Sequence, residues 1–275
     1  MKIGFIGAGR MGRPILDRLV AAGHDATVLV RTQQARAAAE GDGLRCADSV
    51  AETVRDADVV FSVVLNDDQV RTVCLGQDGA VAAMRPGATL VQHTTSDPDT
   101  VGLIAEQGTD KQIGVLDAAL SGGPHDIAAG KLTLWVAGEE SLLDSTRELL
   151  DTYADPVMYV GRRLGNGQRV KLVNNALFIA HVGLAVDAVR IAASLGIGEH
   201  EILQAVQHGS GASRGLGIVA GMGSIDTVGE RLSDLMLKDV SVVREVARRA
   251  GVDLGIVGTV LSSETVEQKV LRRPA

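Results

Sequence analysis

Lys171 and Asn175 are a pair of side chains whose types and spacing point to chemistry. They lie four residues apart in a stretch with helical periodicity, so they share one face of a predicted helix. A lysine there can give a proton to an oxygen on which negative charge develops, or take the proton back in the reverse reaction. For the second role the amine must be neutral part of the time, which burial or a nearby cation such as Lys238 favours. The same spacing also fits a solvated lysine on a helix surface.

The first twelve residues carry a glycine pattern typical of dinucleotide binding. Gly7, Gly9 and Gly12 form G-x-G-x-x-G between a predicted strand and a predicted helix. The first glycine permits a tight turn, the second lets the backbone approach a pyrophosphate, and the third allows close packing of helix on strand. Free N–H groups at the helix start then bind the phosphates. The predicted cofactor-binding residues of this turn are Gly7, Ala8, Gly9, Arg10, Met11 and Gly12.

The end of the next predicted strand bears on which dinucleotide is bound. An NAD site usually has Asp or Glu here to accept from the ribose hydroxyls, whereas this chain has Arg31 followed by Thr32. A guanidinium and a hydroxyl suit a 2′-phosphate, and the strand end carries no carboxylate to repel it. The sequence therefore favours NADP(H) as cofactor, and NAD(H) stays the alternative if Arg31 is only a solvated charge.

Composition excludes several function classes. The chain has 275 residues, a net charge of −7 and only 2% aromatic residues, which argues against nucleic-acid binding because that needs clustered cations or stacking platforms. Two cysteines, Cys46 and Cys74, fit a reducing compartment, and no set of side chains has metal-ligand spacing. The most apolar stretch is interrupted by Asn174, Asn175 and Asp187. We therefore expect no metal, no membrane span and a cytoplasmic protein.

The elements that must position these residues fall into two halves. Up to about Gly161, β-rich runs alternate with helical stretches, which indicates an α/β fold with a doubly wound, largely parallel sheet of Rossmann type. The predicted strands are Lys2–Ile6, Ala26–Val30, Asp58–Val64, Ala88–Gln92, Gly114–Ala118, Lys131–Val136 and Val157–Val160. The helical stretches between them include Met11–Ala22, Ala47–Arg55, Asp97–Gln107 and Glu140–Tyr153.

The second half is predicted to be all-helical. A long central helix is expected from Asn166 to Leu195, followed by helices at Leu232–Ala250 and Ile256–Val270. The long helix is apolar almost all round, so we expect other helices or a partner subunit to cover it, and at least a homodimer. We predict a nucleotide-binding domain at residues 1–162 and a helical domain for substrate binding and dimerisation at residues 163–275.

Over nearly its whole length the chain resembles the β-hydroxyacid dehydrogenase family, which includes 3-hydroxyisobutyrate dehydrogenases and tartronate semialdehyde reductases, with a nucleotide-binding half of the 6-phosphogluconate dehydrogenase type. Four ordered blocks carry the resemblance, and the first is the glycine pattern. The others are Asp117-Ala-Ala-Leu-Ser121-Gly122-Gly123, which resembles the family's D-A-P-V-S-G-G, then Gly165-Asn-Gly167-Gln-Arg-Val-Lys171-Leu-Val-Asn174-Asn175, and Leu235-Met-Leu-Lys238-Asp239.

The resemblance implies which residues bind and convert the substrate. Ser121, Gly122 and Gly123 would hold a substrate carboxylate, and a hydroxyl with two glycine N–H groups is a credible anion nest. Lys171 would be the catalytic acid/base, and Asn175 would hydrogen-bond the substrate. The glycines before Lys171 would leave room for a ligand near the helix start.

The resemblance adds four further positions at the cofactor. Thr95, which follows a predicted strand, would lie beside both nicotinamide and substrate. Leu65 and Asn66 would line the cofactor at the end of another strand, and Lys238 would lie near the nicotinamide. The implied enzyme is an NADP(H)-dependent oxidoreductase that transfers a hydride between the nicotinamide and a small 3-hydroxy acid or its semialdehyde.

Two other functions fit the same fold. Imine reductases are similar over the same length but usually lack a lysine at the position of Lys171. A non-catalytic NADP-binding sensor would have no need of Ser121, Lys171 and Asn175 together. A decarboxylating 6-phosphogluconate dehydrogenase normally has a much longer helical region.

The chain departs from the family at several positions that bear on substrate choice. Ala119 and Leu120 replace Pro-Val, and Asp126 stands where a glycine is common. Arg214 stands where a bulky apolar residue is common, and the C-terminal segment is shorter than usual. The native hydroxy acid or aldehyde is therefore open.

Overall fold

The computed structural model describes residues 1–272, and the side chains of all of them except Leu232, Asp234 and Leu235. Contacts between Cα atoms divide the chain into a first unit, Met1–Lys171, and a second unit that begins at Leu172. The predicted fold class, a Rossmann-type α/β sheet followed by an all-helical region with one long helix, is confirmed. The predicted domain boundary, between residues 162 and 163, lies nine residues before this division.

The first unit is built on an eight-stranded sheet of order β3-β2-β1-β4-β5-β6-β7-β8. All neighbouring pairs are parallel except β6 and β7, which are antiparallel. The strands are β1 (Lys2–Ile6), β2 (Asp25–Leu29), β3 (Arg45–Ala47), β4 (Val59–Ser62), β5 (Thr89–Gln92), β6 (Gly114–Ser121), β7 (Leu132–Ala137) and β8 (Ala154–Tyr159).

Helices connect the strands of this sheet. They are α1 (Gly12–Ala21), α2 (Gln33–Gly41), α3 (Val50–Val54), α4 (Asp67–Leu75), α5 (Ala80–Ala83), α6 (Pro98–Gly108), α7 (Pro124–Ala128) and α8 (Glu140–Asp151), with one 3₁₀ turn at Thr109–Lys111. The helix predicted at Ala47–Arg55 is wrong at its start, because Ala47 ends β3. The helix begins only after Ser49, whose hydroxyl oxygen accepts from the Glu52 amide at 3.1 Å and caps it.

The central strands are buried on both faces because their side chains alternate between two apolar layers. Phe5, Phe61 and Val91 belong to one layer, whereas Ile6 and Val60 belong to the other. Complete burial of one such large apolar side chain contributes about 2 kcal/mol. The sheet is therefore a rigid base for the loops that follow its strands.

The carboxyl ends of β1, β4 and β5 lie at one level of the sheet, and β6 continues four residues beyond that level. In the pairing register Ile6 lies beside Ser62, Ser62 beside Gln92, and Gln92 beside Asp117. The strand order reverses between β1 and β4. Such a reversal opens a crevice beyond the strand ends, and this is where ligands bind in sheets of this kind.

The described part of the second unit is helical. After α9 (Asn166–Ser194) come α10 (Glu199–Val206), α11 (Arg214–Met222), α12 (Asp226–Ala250) and α13 (Gly255–Leu261), then one π-helical segment at Thr265–Val270. The continuous helix predicted at Ile256–Val270 is therefore wrong. The Ser263 hydroxyl donates to the Val260 carbonyl at 2.7 Å and accepts from the Val266 amide at 3.3 Å, so it competes with the helix backbone at the break.

Helix α9 is long and apolar enough to cross a membrane by length and composition alone. Half of its most apolar 18-residue window is buried inside the structure, and Leu172, Ile179 and Val182 belong to the apolar core of the second unit. These residues make α9 part of the apolar core.

Candidate active site

A cavity of about 450 Å³ opens at the point where the strand order reverses. Its walls come from the turn after β1, from the ends of β2 and β4, and from α2. Five of the predicted cofactor residues line it, namely Gly7, Ala8, Gly9, Arg31 and Leu65. The structure thus brings together loops from three strands that sequence analysis assigned to one ligand.

Other predicted cofactor residues near this cavity stabilise its walls rather than line it. A Cβ atom at Gly12 would collide with the Gly7 carbonyl, so this glycine serves the close packing of α1 on β1. Thr32 caps α2 by accepting from the Ala35 amide at 3.1 Å, and Asn66 caps α4 by accepting from the Gln69 amide at 3.0 Å. Arg10 is exposed and Met11 is half-buried at the start of α1.

Sequence analysis missed several residues of the cavity wall. Arg13 lines the cavity and is held in place by Asp17 at 2.6 Å and Asp42 at 2.5 Å. Helix α2 contributes Ala35 and Ala38. The alanine-rich composition of residues 35–39 was a signal for this helix, whereas nothing in the local sequence marks Arg13.

The segment after β5 is joined to the end of β4 by Thr94. Its hydroxyl accepts from the Val64 amide at 2.8 Å and donates to the Val64 carbonyl at 3.1 Å. Thr94 is buried, while Thr95 is half-buried at the same sheet edge. Thr95 therefore directly follows a residue that is fixed by hydrogen bonds, and it lies beyond the end of β5.

The predicted anion nest has a different arrangement from the one expected. Ser121 is the half-buried last residue of β6, and the Gly123 amide, which we expected to bind a substrate carboxylate, donates to the Asp126 carboxylate at 2.7 Å. A Cβ atom at Gly122 would also lie 2.7 Å from that carboxylate oxygen. The chain's own Asp126 thus occupies part of the nest, and His125 beside it is exposed.

The start of α9 is bonded to Asp117 in β6. The Gln168 amide N–H donates to one carboxylate oxygen of Asp117 at 3.1 Å, and the Gln168 side-chain Nε2 donates to the other at 2.9 Å. The N–H groups of Gly165 and Gly167 donate to the same carboxylate. The room at these glycines, which we expected to serve a ligand, is therefore filled by the protein.

Burial raises the pKa of the Asp117 carboxyl to about 6, and the four N–H donors from Gln168, Gly167 and Gly165 partly offset this rise. The amide of Gln168 is oriented by Ser96, whose backbone N–H donates to Oε1 at 3.0 Å. Lys171 follows on the same helix and is half-buried. The turn that precedes Lys171 is thus fixed to β6 at the level where β5 ends.

The interior of the sheet holds one buried histidine, His93, which directly follows β5. Its Nδ1 lies 2.6 Å from the Ala118 carbonyl and its Nε2 lies 2.9 Å from the Tyr153 hydroxyl. Donation from Nδ1 to the carbonyl leaves Nε2 to accept from the phenol, so both partners are satisfied by a neutral ring. Burial lowers the pKa of His93 to about 4, against the opposing effect of the Ala118 bond.

Two predicted site residues lie in the second unit. Asn175 is buried, and its side-chain nitrogen donates to Asp239 at 2.7 Å. Burial lowers the pKa of the neighbouring Lys238 amine, and the Asp239 charge opposes that shift. Asp239 was not among the predicted site residues, although it stands in the predicted Lys238-Asp239 block. Arg214, at the start of α11, is exposed.

Comparison with known proteins identifies the class to which this fold and site belong. The sequence model for the NAD binding domain of 6-phosphogluconate dehydrogenase matches residues 2–161, and the model for the NAD-binding region of NADP-dependent 3-hydroxyisobutyrate dehydrogenase matches residues 165–268. An uncharacterised oxidoreductase of Shewanella frigidimarina is 32% identical over 94% of this chain and 89% of its own length. The L-threonate dehydrogenase of Cupriavidus necator is 28% identical over 90% of this chain and 84% of its own length.

Solved structures show the same architecture. The 3-hydroxyisobutyrate dehydrogenase of Salmonella typhimurium has a TM-score of 0.80 at 27% identity, covering 95% of this chain and 92% of its own. An imine reductase of Streptomyces aurantiacus has a TM-score of 0.69 at 20% identity, covering 95% of this chain and 92% of its own, which shows the shared fold alone.

The chain therefore belongs to the β-hydroxyacid dehydrogenase family. It is an enzyme, an NAD(P)-dependent dehydrogenase of 3-hydroxy acids, and the predicted nicotinamide cofactor is confirmed at that level.

Proposed function

We propose that this enzyme uses NADP(H) to interconvert a small 3-hydroxy acid and its semialdehyde, with Lys171 as the general acid/base. The observation that carries the proposal is the register of the sheet edge. Gly7, Leu65 and Thr95 follow the ends of three strands that the pairing brings to one level, and Asp117 of β6 lies at that same level. Ser121 ends β6 four residues further on, and the first turn of α9, which leads to Lys171, is bonded to Asp117.

The cavity beside Gly7 and Gly9 fits a dinucleotide. Gly9 lies in open space, since a Cβ atom built there meets nothing within 4 Å, so a pyrophosphate can approach the backbone closely. The N–H groups at the start of α1 favour an anion at that place. When bound, the nicotinamide group gives or accepts the hydride.

The protein's own part in the reaction is to bind the substrate and to move a proton. During reduction Lys171 gives its proton to the oxygen that becomes the hydroxyl, and during oxidation it takes that proton back. Ser121 offers its hydroxyl to the substrate carboxylate, with the Gly122 backbone beside it. Asn175 orients the substrate oxygen, and its bond to Asp239 fixes the direction of the Asn175 amide.

The preference for NADP(H) is supported by Arg31. It lines the cavity and is exposed, so its guanidinium can meet a 2′-phosphate without the cost of burying a charge. The segment that follows β2 begins Val30-Arg31-Thr32 and offers no carboxylate to the ribose. The description of the family model for residues 165–268 also names an NADP-dependent enzyme.

We further propose that the protein is a homodimer formed through one face of α9. Four apolar side chains of that helix, and Leu195 directly after it, are between 43% and 73% exposed; the four are Val173, Leu177, Leu184 and Ile191. Their spacing of four and seven residues places them within about 40° of one another around the helix. An apolar stripe of this length is typical of a self-complementary interface. Leu184→Glu is expected to give a monomer in sedimentation, whereas Val252→Glu, at another exposed apolar position, is expected to leave the dimer intact.

The deciding experiment follows NADPH and NADH oxidation by absorbance with a panel of short semialdehydes and cyclic imines. We expect a carboxylated aldehyde to be reduced faster with NADPH. Lys171→Ala should lower kcat by about a hundredfold or more, because general acid catalysis is worth about 10²–10⁴-fold. The matched control is Lys269→Ala, which removes an exposed lysine and should leave kcat unchanged.

Other outcomes of this experiment select the alternatives. Turnover of cyclic imines but not of semialdehydes would favour an imine reductase, the reaction of a protein that shares the fold. Tight NADPH binding with no turnover of any compound would favour a sensor. A Lys171→Ala variant as fast as the wild type would reject the acid/base role.

A further inference from the structure

We propose that Asp117 is a positioning residue for Lys171. Its buried carboxylate holds the first turn of α9 against β6 and thereby sets where the Lys171 amine lies. This inference rests on the proposed function, since it assumes that Lys171 moves the proton. It concerns a residue that does not itself touch the substrate.

The Asp117 carboxylate accepts hydrogen bonds from four N–H groups at the start of α9. Its two oxygens receive the backbone N–H and the side-chain Nε2 of Gln168 at 3.1 Å and 2.9 Å, together with the N–H groups of Gly165 and Gly167. Two carboxylate oxygens have lone pairs for four donors, and no other short side chain offers as many acceptors. Charge-assisted bonds of this kind are also the stronger ones.

The donors cannot turn away, because a second bond fixes the Gln168 amide. Its Oε1 accepts from the Ser96 backbone at 3.0 Å, so its Nε2 must face Asp117. The loop after β5, strand β6 and helix α9 are thus joined by one chain of hydrogen bonds. An asparagine at position 117 would direct an N–H at one of these donors and break the set.

The close approach is built into the backbone as well. A Cβ atom at Gly167 would lie 2.6 Å from the Trp135 carbonyl of β7 and 2.9 Å from the Asp117 carboxylate. The first turn of α9 therefore rests directly on β6 and β7, at a separation that only glycine permits.

The contact between Asp117 and the start of α9 sets the positions of both side chains that the proposed reaction needs. Ser121 is four residues after Asp117 along the strand, and Lys171 is four residues after Gly167 along the helix. Those separations correspond to about 13 Å of strand and about 6 Å of helix. Because both elements are rigid, a shift of the contact moves the Lys171 amine relative to the Ser121 hydroxyl, which binds the substrate carboxylate.

The test is a double-mutant cycle on kcat with Asp117→Asn and Lys171→Ala. We expect Asp117→Asn alone to lower kcat by about 10- to 100-fold, since a misplacement of about 1 Å has effects of that size. In the Lys171→Ala background the same substitution should change kcat less than about twofold, because the group it positions is gone. The Kd for NADPH, measured by fluorescence, should stay within about twofold.

The matched control is Asp58→Asn. Asp58 also accepts from a backbone amide, that of Lys2 at 2.8 Å, and pairs with Arg85, but it lies before β4 at the amino end of the strands. The substitution Asp58→Asn removes a structural carboxylate beside the same sheet without changing a contact of α9. The kcat of this variant should equal that of the wild type.

Three results would overturn the inference: an Asp117→Asn enzyme with wild-type kcat, an equal loss of kcat in both backgrounds, or a loss no greater than that of Asp58→Asn. A Lys171→Ala enzyme with full kcat would instead reject the proposed function. If Asp117→Asn fails to fold, Gln168→Met enters the same cycle. It removes one donor and keeps the carboxylate, and its kcat loss should likewise vanish in the Lys171→Ala background.

Discussion

Closely spaced glycines mark the starts of both α1 and α9, and the two first turns have different surroundings. At α1 the backbone around Gly9 faces open space beside a cavity of about 450 Å³. At α9 the space beside the Gly167 backbone is filled by the Asp117 carboxylate and the Trp135 carbonyl. Both helix starts favour negative charge, as helix N-termini do. One leaves the place to a ligand, and the other takes a carboxylate of the protein itself.

The comparison teaches that a glycine pattern predicts a close approach but not its partner. What approaches α9 is decided by a residue 51 positions earlier in the chain. For function we propose a division of labour, in which the start of α1 binds the cofactor and the start of α9 fixes the position of Lys171.

Substitution of Gly167 or Gly9 by alanine tests this division, and Gly167→Ala should have the largest effect of the variants considered. Gly167→Ala forces a Cβ atom into the Asp117 carboxylate and the Trp135 carbonyl, and we expect a loss of about 3 kcal/mol in the free energy of unfolding, the upper range for overpacking. Gly9→Ala should unfold like the wild type and weaken NADPH binding about tenfold or more. Urea denaturation and NADPH titration of both variants measure the two effects, and a Gly9→Ala protein with unchanged Kd would contradict the division.

Protonation of Asp117 at low pH should stabilise the folded protein, and comparison with Asp117→Asn reveals this effect. The folded-state pKa of Asp117 is raised to about 6 from 3.8, so the folded protein binds this proton more tightly than the unfolded chain. Its contribution to stability is therefore largest below pH 3.8 and is lost as the pH rises through 6. Between pH 7 and pH 4.5 the wild type should gain about 2 kcal/mol relative to Asp117→Asn.

His93 changes stability in the opposite direction over the same range. Its folded-state pKa is lowered from 6.5 to about 4, so its contribution is present above pH 6.5 and is lost as the pH falls towards 4. The two effects nearly cancel in the wild type, and Asp117→Asn should show the histidine loss alone. Urea denaturation at the two pH values checks this, and parallel changes in both proteins would contradict it.

The cavity beside the start of α1 should discriminate between NADPH and NADH through Arg31, which lines it. Arg31→Ala is expected to lower kcat/KM for NADPH about tenfold, the value of one charge-assisted contact, and to leave kcat/KM for NADH unchanged. Arg55→Ala, which removes another exposed arginine of the same unit, is the control. An equal loss with both cofactors would mean that Arg31 does not meet the 2′-phosphate.

The start of a third helix, α7, extends the comparison, and the substitution there should have the smallest effect. Asp126→Asn keeps an acceptor for the Gly123 amide and removes the negative charge next to Ser121. We expect KM for a carboxylated substrate to fall about threefold, because a like charge beside a substrate anion is unfavourable by well under 1 kcal/mol when partly exposed to solvent. An uncharged aldehyde of the same length should show no change, and a similar shift with both substrates would point to loop movement instead.

Much of the fold could be predicted because its signals are local. All seven predicted strands are found, since alternating or continuous apolar runs bounded by turns identify them. The three-residue strand β3 was missed because Arg45–Ala47 is too short to show a period, and the antiparallel pairing of β6 with β7 has no local signal.

The candidate site was predictable where its residues directly follow strands. Gly7 and Gly9 were predicted from the glycine pattern after β1, Arg31 from its place after β2, and Leu65 from the family resemblance; all four line one cavity. The bond between Asp117 and the α9 start was not predictable, because it depends on how distant segments pack. For the same reason the capture of the Gly123 amide by Asp126 appeared in the sequence only as a charge in an unusual place.

The attachment of α9 to Asp117 also bears on how the chain can be divided. A fragment that stops at Gly161, in the glycine-rich stretch before α9, would keep the buried carboxylate and lose the four N–H groups that satisfy it. It would also leave the Ser96 amide without its acceptor. A fragment that continues to Lys171 retains all of these bonds. The shortest piece expected to fold and bind a dinucleotide alone therefore ends inside a helix rather than in the loop before it.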